Sequence, residues 1–144
     1  MNISDKENIK IRDKLFARAS AEICRKSLLT SDLARGMYCA SMISCMGKGN
    51  VLCVFLDKSG KVCGEVMLNR DFGKLHDRII SKLTDCAKRF SSETVFIGRP
   101  LIEADDLDYI IAGGILIGSA LKENGITLLG YYLKDGPVCE NILP

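Results

Sequence analysis

The chain has 144 residues, 47% of them apolar and 26% charged, with a formal net charge of +2 at neutral pH. A domain of ~150 residues buries roughly 70% of its unfolded surface, so a core forms without a disulfide or metal staple, and this composition excludes disordered and fibrous chains. So small a net charge gives no global reason for a nucleic-acid or anionic-membrane partner. The seven cysteines, Cys24, Cys39, Cys45, Cys53, Cys63, Cys86 and Cys139, are odd in number and form no C-x-x-C pair. They read as buried free thiols in a reducing compartment. The N-terminus lacks the apolar core of a secretion signal. The most apolar stretch, Ile110 to Leu121, is broken by Gly113, Gly114 and Gly118 and falls short of the ~20 residues that cross a bilayer. The expectation is a soluble, cytoplasmic chain with no membrane partner.

From about Lys6 to Ser27, the apolar residues Ile9, Leu15, Phe16, Ala19, Ile23 and Cys24 recur among charges of both signs, which predicts an amphipathic helix. Thr30-Ser31-Asp32 is a helix-start cluster, because a side-chain oxygen there accepts from an orphan backbone N–H. The second helix should run to about Met46 and stop at Gly47-Lys48-Gly49-Asn50. Val51 to Leu56 and Lys61 to Met67 flank Asp57-Lys58-Ser59-Gly60, a hairpin in which Gly60 supplies the positive φ of the turn. The first of these strands is apolar throughout, so it belongs in the middle of a sheet covered on both faces. From Lys74 to Phe90, the residues Leu75, Ile79, Ile80, Leu83, Cys86 and Ala87 recur at three and four, predicting a helix that packs on the sheet.

Thr94 to Ile97 reads as a short buried strand closed by Gly98-Arg99-Pro100, since proline offers no ladder donor. Glu103 to Asn124 reads as the longest helix, with Glu103, Asp105, Asp106 and Asp108 in its first turns, where they complement the macrodipole, and with Lys122 and Gly125 at its end. Its three glycines cost ~1 kcal/mol each relative to alanine, so they should be offset by close packing. Ile126 to Leu133 and Val138 to Ile142, around Lys134-Asp135-Gly136-Pro137, make a final hairpin. The order helix, helix, strand, strand, helix, strand, helix, strand, strand predicts an α/β fold with a mixed sheet flanked by helices. No repeat or linker interrupts it, so the N-terminal helix of residues 1–28 and the remainder, 29–144, form one compact unit.

Several strings carry a likeness to a known family. They are Thr30-Ser31-Asp32-Leu33-Ala34, the hairpin from Phe55 to Val62, Glu65-Val66, His76-Asp77-Arg78-Ile79, and the run from Asp106 to Gly136 containing LKENGITLLGYYLKDG. In order and spacing, from about Leu29 to the C-terminus, they resemble the JAB/MPN domain of RadC proteins, although that family's His-Pro-Arg segment has Asp77 here in place of proline. The resemblance implies a cytidine-deaminase-like layered architecture. It also implies a site: active members carry His-x-His-Pro, then Ser-x-x-Asp, with an upstream glutamate. The two histidines and the aspartate hold Zn²⁺, leaving a position for an activated water.

Here the matching stretch is Ile97-Gly98-Arg99-Pro100, Glu103 stands at the serine, Asp106 keeps the ligand identity, and Glu65 falls at the acidic position of the second strand. Ile97 has no lone pair and Arg99 is a permanent cation, so the resemblance implies a degenerate cleft of Glu65, Ile97, Arg99, Glu103 and Asp106 with no catalytic residue, no metal and no cofactor. Arg99 is expected to take over the charge of the lost metal and to pair with Asp106 or Glu103. Glu65, Glu103 and Asp106 as a weak site for a hard cation is the minor alternative.

Other constellations carry less. His76 is the one histidine, which suits a helix start or a surface better than the base of a cysteine nucleophile. Gly47-Lys48-Gly49 precedes a strand, contrary to a phosphate-binding loop. Arg25, Lys26, Lys82, Lys88 and Arg89 are diluted by Asp77, Asp85 and Glu93 and read as solvated faces. The helix-hairpin-helix region that precedes this domain in full-length RadC proteins has no counterpart in the sequence, which weakens a nucleic-acid partner. The function expected is that of a non-catalytic module that binds itself or another protein through its sheet edge or first helix. The alternatives are a metal-independent hydrolase with Glu65 as base beside Arg99 and Asp106, and a nucleic-acid-associated protein.

Overall fold

A computed structural model describes residues 3–46, 49–69, 76–102 and 105–144. The elements follow the predicted order: α1 (Ile3–Arg25), α2 (Asp32–Ser44), β1 (Asn50–Leu56), β2 (Val62–Asn69), α3 (His76–Phe90), β3 (Thr94–Pro100), α4 (Leu107–Glu123), β4 (Thr127–Asp135) and β5 (Val138–Asn141). The fold is α/β, and its five strands form one mixed sheet in the order β2-β1-β3-β4-β5. Only β3 and β4 run parallel; the other neighbours are antiparallel.

Strand β1 lies between β2 and β3, as its unbroken apolar run requires, and Val51 through Leu56 are all buried. Each such side chain favours the folded state by roughly 2 kcal/mol relative to an exposed one. Alternation divides them between two cores. Val51, Cys53 and Phe55 pack with Ile79, Leu83, Cys86 and Ala87 of α3 and with Ile110, Ile117 and Leu121 of α4. Leu52, Val54 and Leu56 pack on the other face with Tyr38, Cys39 and Ile43 of α2. On that second face, Phe96 stands edge-on to both Tyr38 and Tyr132, with ring centroids 6.3 and 5.7 Å away. Edge-to-face contact of this kind is the favourable arrangement for aromatic quadrupoles.

The hairpin turn forms as its sequence predicts. Asp57 Oδ1 accepts from the Ser59 amide and hydroxyl and from the Lys61 amide at 2.9, 2.6 and 2.9 Å, and Gly60 has φ +94°. The Gly60 carbonyl in turn accepts from the Leu29 amide at 2.8 Å, tying the α1–α2 connection to the turn. In α4, close packing holds at Gly114, where a Cβ would approach the Tyr131 ring to 3.1 Å and Leu143 to 3.0 Å.

Three expectations need correction. β3 does not end at Ile97 but continues through Pro100 alongside β4. Its pairing with β1 ends at Gly98, and since the Leu101 amide donates to Lys134 on the β4 side, the Pro100 nitrogen faces the side that β1 has left. Its missing donor therefore costs no ladder bond. Helix α4 starts at Leu107, not Glu103, because Asp106 is its N-cap and only Asp108 lies in the first turn. The cysteines are not uniformly buried: Cys63 is exposed on the outer strand β2, while Cys39, Cys53 and Cys86 are buried and all seven are free.

Helix α1 is amphipathic only in part of the sense predicted. Ala21 is buried and Cys24 packs against the second core, yet Ile11, Leu15, Phe16 and Ile23 are exposed, Phe16 by 76%. No helix among the described residues is long and apolar enough to cross a membrane.

A polar network that local sequence does not announce ties α2 to the far end of the sheet. The Tyr132 hydroxyl donates to Asp32 Oδ1 at 2.6 Å and accepts from Arg35 Nε at 2.7 Å. Asp32 Oδ1 also accepts from Arg35 Nη2 and Asn141 Nδ2, both at 3.2 Å. The Tyr132 bond above all holds the Asp32 carboxyl below its usual range, and burial together with this bond holds the Tyr132 hydroxyl protonated. Replacing Tyr132 by Phe removes a hydroxyl that serves both Arg35 and Asp32, and should lower the urea-unfolding free energy by about 1–2 kcal/mol. Because the Asp32 value is lowered by folding, its contribution is present above pH ~4 and fades as pH falls through the folded value. The difference between wild type and Tyr132→Phe should therefore shrink in acid.

Candidate functional site

The parallel strands β3 and β4 end side by side, and the carboxyl ends of parallel strands are where α/β sheets place ligands. Three devices organise this end. The Leu101 amide donates to the Lys134 carbonyl at 2.9 Å, carrying the pairing past β3. Arg99 Nη2 donates to Asp105 Oδ2 at 2.9 Å, and the Ile102 amide donates to the same oxygen at 2.9 Å, which curls the chain back toward α4. Asp106 then caps α4, its Oδ1 accepting from the Asp108 and Tyr109 amides at 3.0 and 3.4 Å.

Both side chains of the Arg99–Asp105 pair are 11% exposed. Taking two charges out of water is costly and is recovered only with good geometry and further hydrogen bonds, which the Ile102 amide supplies to the carboxylate. A cavity of about 360 Å³ is lined by Leu101, Leu107, Leu133, Asp135, Glu140 and Ile142, from the β3–α4 connection and the start of α4, and from β4 and β5 with the residue that follows. Its lining combines four aliphatic side chains with the acidic Asp135 and Glu140.

The residues expected to share a cleft do not converge. Ile97 is fully buried among side chains of α3 and α4, and two residues on, by strand alternation, Arg99 takes the same side of the sheet. Glu65 pairs in register with Val54, which places it on the opposite side, with α1 and α2. There it accepts a hydrogen bond from the Tyr38 hydroxyl and lies 3.7 Å from Arg25 Nη2. Burial raises its carboxyl above the usual range, and Arg25 pulls it partly back. Arg99 pairs with Asp105 rather than with Asp106, whose carboxylate oxygen is engaged by the α4 amides. Glu103 and the side chain of His76 lie outside the described residues.

Among the described residues no three His, Cys, Asp or Glu side chains converge as a metal site would require. A donor set of Ile97 and Arg99 does not fit Zn²⁺, since one offers no lone pair and the other repels a cation. What the arrangement does chemically is hold a fixed, neutralised guanidinium at the end of the parallel strands. Beyond its place six residues after an arginine at the end of a strand, nothing local in the sequence marks Asp105 as an ion-pair partner, and nothing joins Asp32 and Arg35 to Tyr132 and Asn141.

The sequence matches no family model and no curated protein.

The ion pair makes a sharp prediction. Asp105→Asn leaves the guanidinium without its counter-charge and should lower stability by about 3 kcal/mol, whereas Arg99→Met combined with Asp105→Asn should recover most of that loss. A double-mutant cycle by chemical denaturation measures both. Equal and additive losses would mean that the pair is not coupled.

Proposed function

We propose that this chain is a non-catalytic RadC-like JAB/MPN domain that works as a protein-interaction module. The observation that carries the reading is the state of the two positions where the family places its histidines: Ile97 is locked in the core and Arg99 is paired with Asp105. The nine elements in the predicted order, and a mixed sheet with helices on both faces, support the family likeness.

The binding half of the proposal rests on α1. Ile11, Leu15, Phe16 and Ile23 fall within one broad arc of the helix and remain exposed. Four large apolar side chains left exposed on one arc of a charged helix suggest a contact surface. The hydrolase alternative, with Glu65 as base beside Arg99 and Asp106, is disfavoured because Glu65 is on the opposite side of the sheet from Arg99. A nucleic-acid role has no specific support in the geometry.

Phe16→Glu with Ile23→Glu should abolish association, either of the chain with itself or with its protein partner, while leaving the helical circular-dichroism signal within about a tenth of wild type. Light scattering across a concentration series measures self-association. The wild-type chain should leave peptide and isopeptide substrates uncleaved with or without added zinc. Turnover that is lost on Glu65→Gln would overturn the reading.

A further inference from the structure

The second core contains a pair of thiols from elements distant in sequence. Cys39 is on α2, fully buried, and Cys139 is on the edge strand β5, partly buried against the same cluster. The backbone brings them together. Gly36, one turn before Cys39, lies so close to β5 that a Cβ there would sit 2.8 Å from the Cys139 carbonyl oxygen. A residue three positions on lies on the same broad side of a helix, so Cys39 also faces the sheet here, its sulfur 2.7 Å from where a Cβ on Gly98 of β3 would stand. Both side chains belong to the second core cluster, and each thiol is near enough to shift the other's titration.

We propose that Cys39 and Cys139 are a two-thiol oxidation site that takes hydrogen peroxide and closes a disulfide between α2 and β5. The two cysteines have unequal roles. Cys139 is the more accessible, and its cross-strand partner is Lys134. The neighbouring Cys39 thiol and the Lys134 charge hold the Cys139 thiol below its usual range, while burial pushes Cys39 up. Thiolate character and access select the attacking sulfur. Cys53 also lies near enough to Cys39 to oppose its ionisation, and Arg35 favours it.

The Cys139 thiolate attacks one peroxide oxygen. The S–O bond forms as the O–O bond breaks, and the hydroxide that leaves takes up the thiol's proton as water. Cys39 then attacks the Cys139 sulfenic sulfur. The S–S bond forms, the S–O bond breaks, and the departing hydroxide leaves as water with the Cys39 proton. Two thiols lose two electrons and one peroxide becomes two waters. A sulfenic acid beside a second thiol takes this route in preference to further oxidation. Cys53 and Cys86, both buried, do not take part.

The test treats the full chain under native conditions with hydrogen peroxide, blocks remaining thiols with N-ethylmaleimide before unfolding, and maps peptides without reductant. The expected result is a Cys39–Cys139 linked peptide as the major product, two hydrogens lighter than its separate halves and lost on reduction. In Cys39→Ala, Cys139 should stop at a sulfenic acid that dimedone captures and then advance to the sulfinic acid. In Cys139→Ser, Cys39 should remain reduced. Wild-type chains in which Cys139 becomes sulfinic acid without the linked peptide, or in which Cys39 stays free while other cysteines pair, would overturn the proposal. The wild-type map decides this even if a buried-site variant fails to fold.

Discussion

A guanidinium cannot shed its charge by losing a proton, so a fold that carries one inward must bring an anion to it. Strand β3 delivers Arg99 to the end of the sheet at 11% exposure, and Asp105 meets it there. The consequences spread outward from that pair. The carboxylate that neutralises Arg99 also receives the Ile102 amide, which shapes the β3–α4 connection, and the next residue, Asp106, is thereby placed to cap α4. Without the counter-charge, the start of α4 and the turn before it would lose their common anchor. With it, the guanidinium at the carboxyl end of the parallel strands is neutralised in place.

The sheet separates what a catalytic cleft would need to combine. Glu65 looks toward α1 and α2, where Tyr38 and Arg25 hold it, and Ile97 is sealed beneath α3 and α4. The first of these contacts has its own structural purpose. It fastens the outer strand β2 to both N-terminal helices, and α1, so fastened, presents Phe16 and its apolar neighbours outward. The polar network of Asp32, Arg35, Tyr132 and Asn141 does the corresponding work at the other edge, between α2 and the β4–β5 pair.

Much of this fold is legible in the sequence wherever one local rule governs. The uninterrupted apolar run from Val51 to Leu56 identifies the central strand, Asp57 and Gly60 specify the turn, and the spacing of Ile79, Leu83, Cys86 and Ala87 marks the buried face of α3. The start of α4 is hidden in the sequence because four acidic residues within six look alike as helix-dipole partners, while the structure gives Asp105 an ion pair and Asp106 a cap. The period of α1 was legible, but a period does not say whether an apolar side chain finds a cover. For the site, residue types were legible and their relative placement was not. That Glu65 and Arg99 face opposite ways follows from the pairing of Glu65 with Val54, and register depends on contacts that a single strand does not contain. Pairs such as Asp32 with Tyr132, or Cys39 with Cys139, join residues about a hundred positions apart and leave no local trace.

Arg99 at this end of the sheet is neutralised by Asp105, and a donor set of Ile97 and a guanidinium should not hold Zn²⁺. Equilibrium dialysis against buffered Zn²⁺ tests it most directly, with wild type compared to Asp106→Asn so that metal held by the cysteines is distinguished from metal held at the cleft. The account predicts identical zinc content in the two proteins at every free concentration. One additional zinc per chain in the wild type, lost with the Asp106 carboxylate, would contradict it.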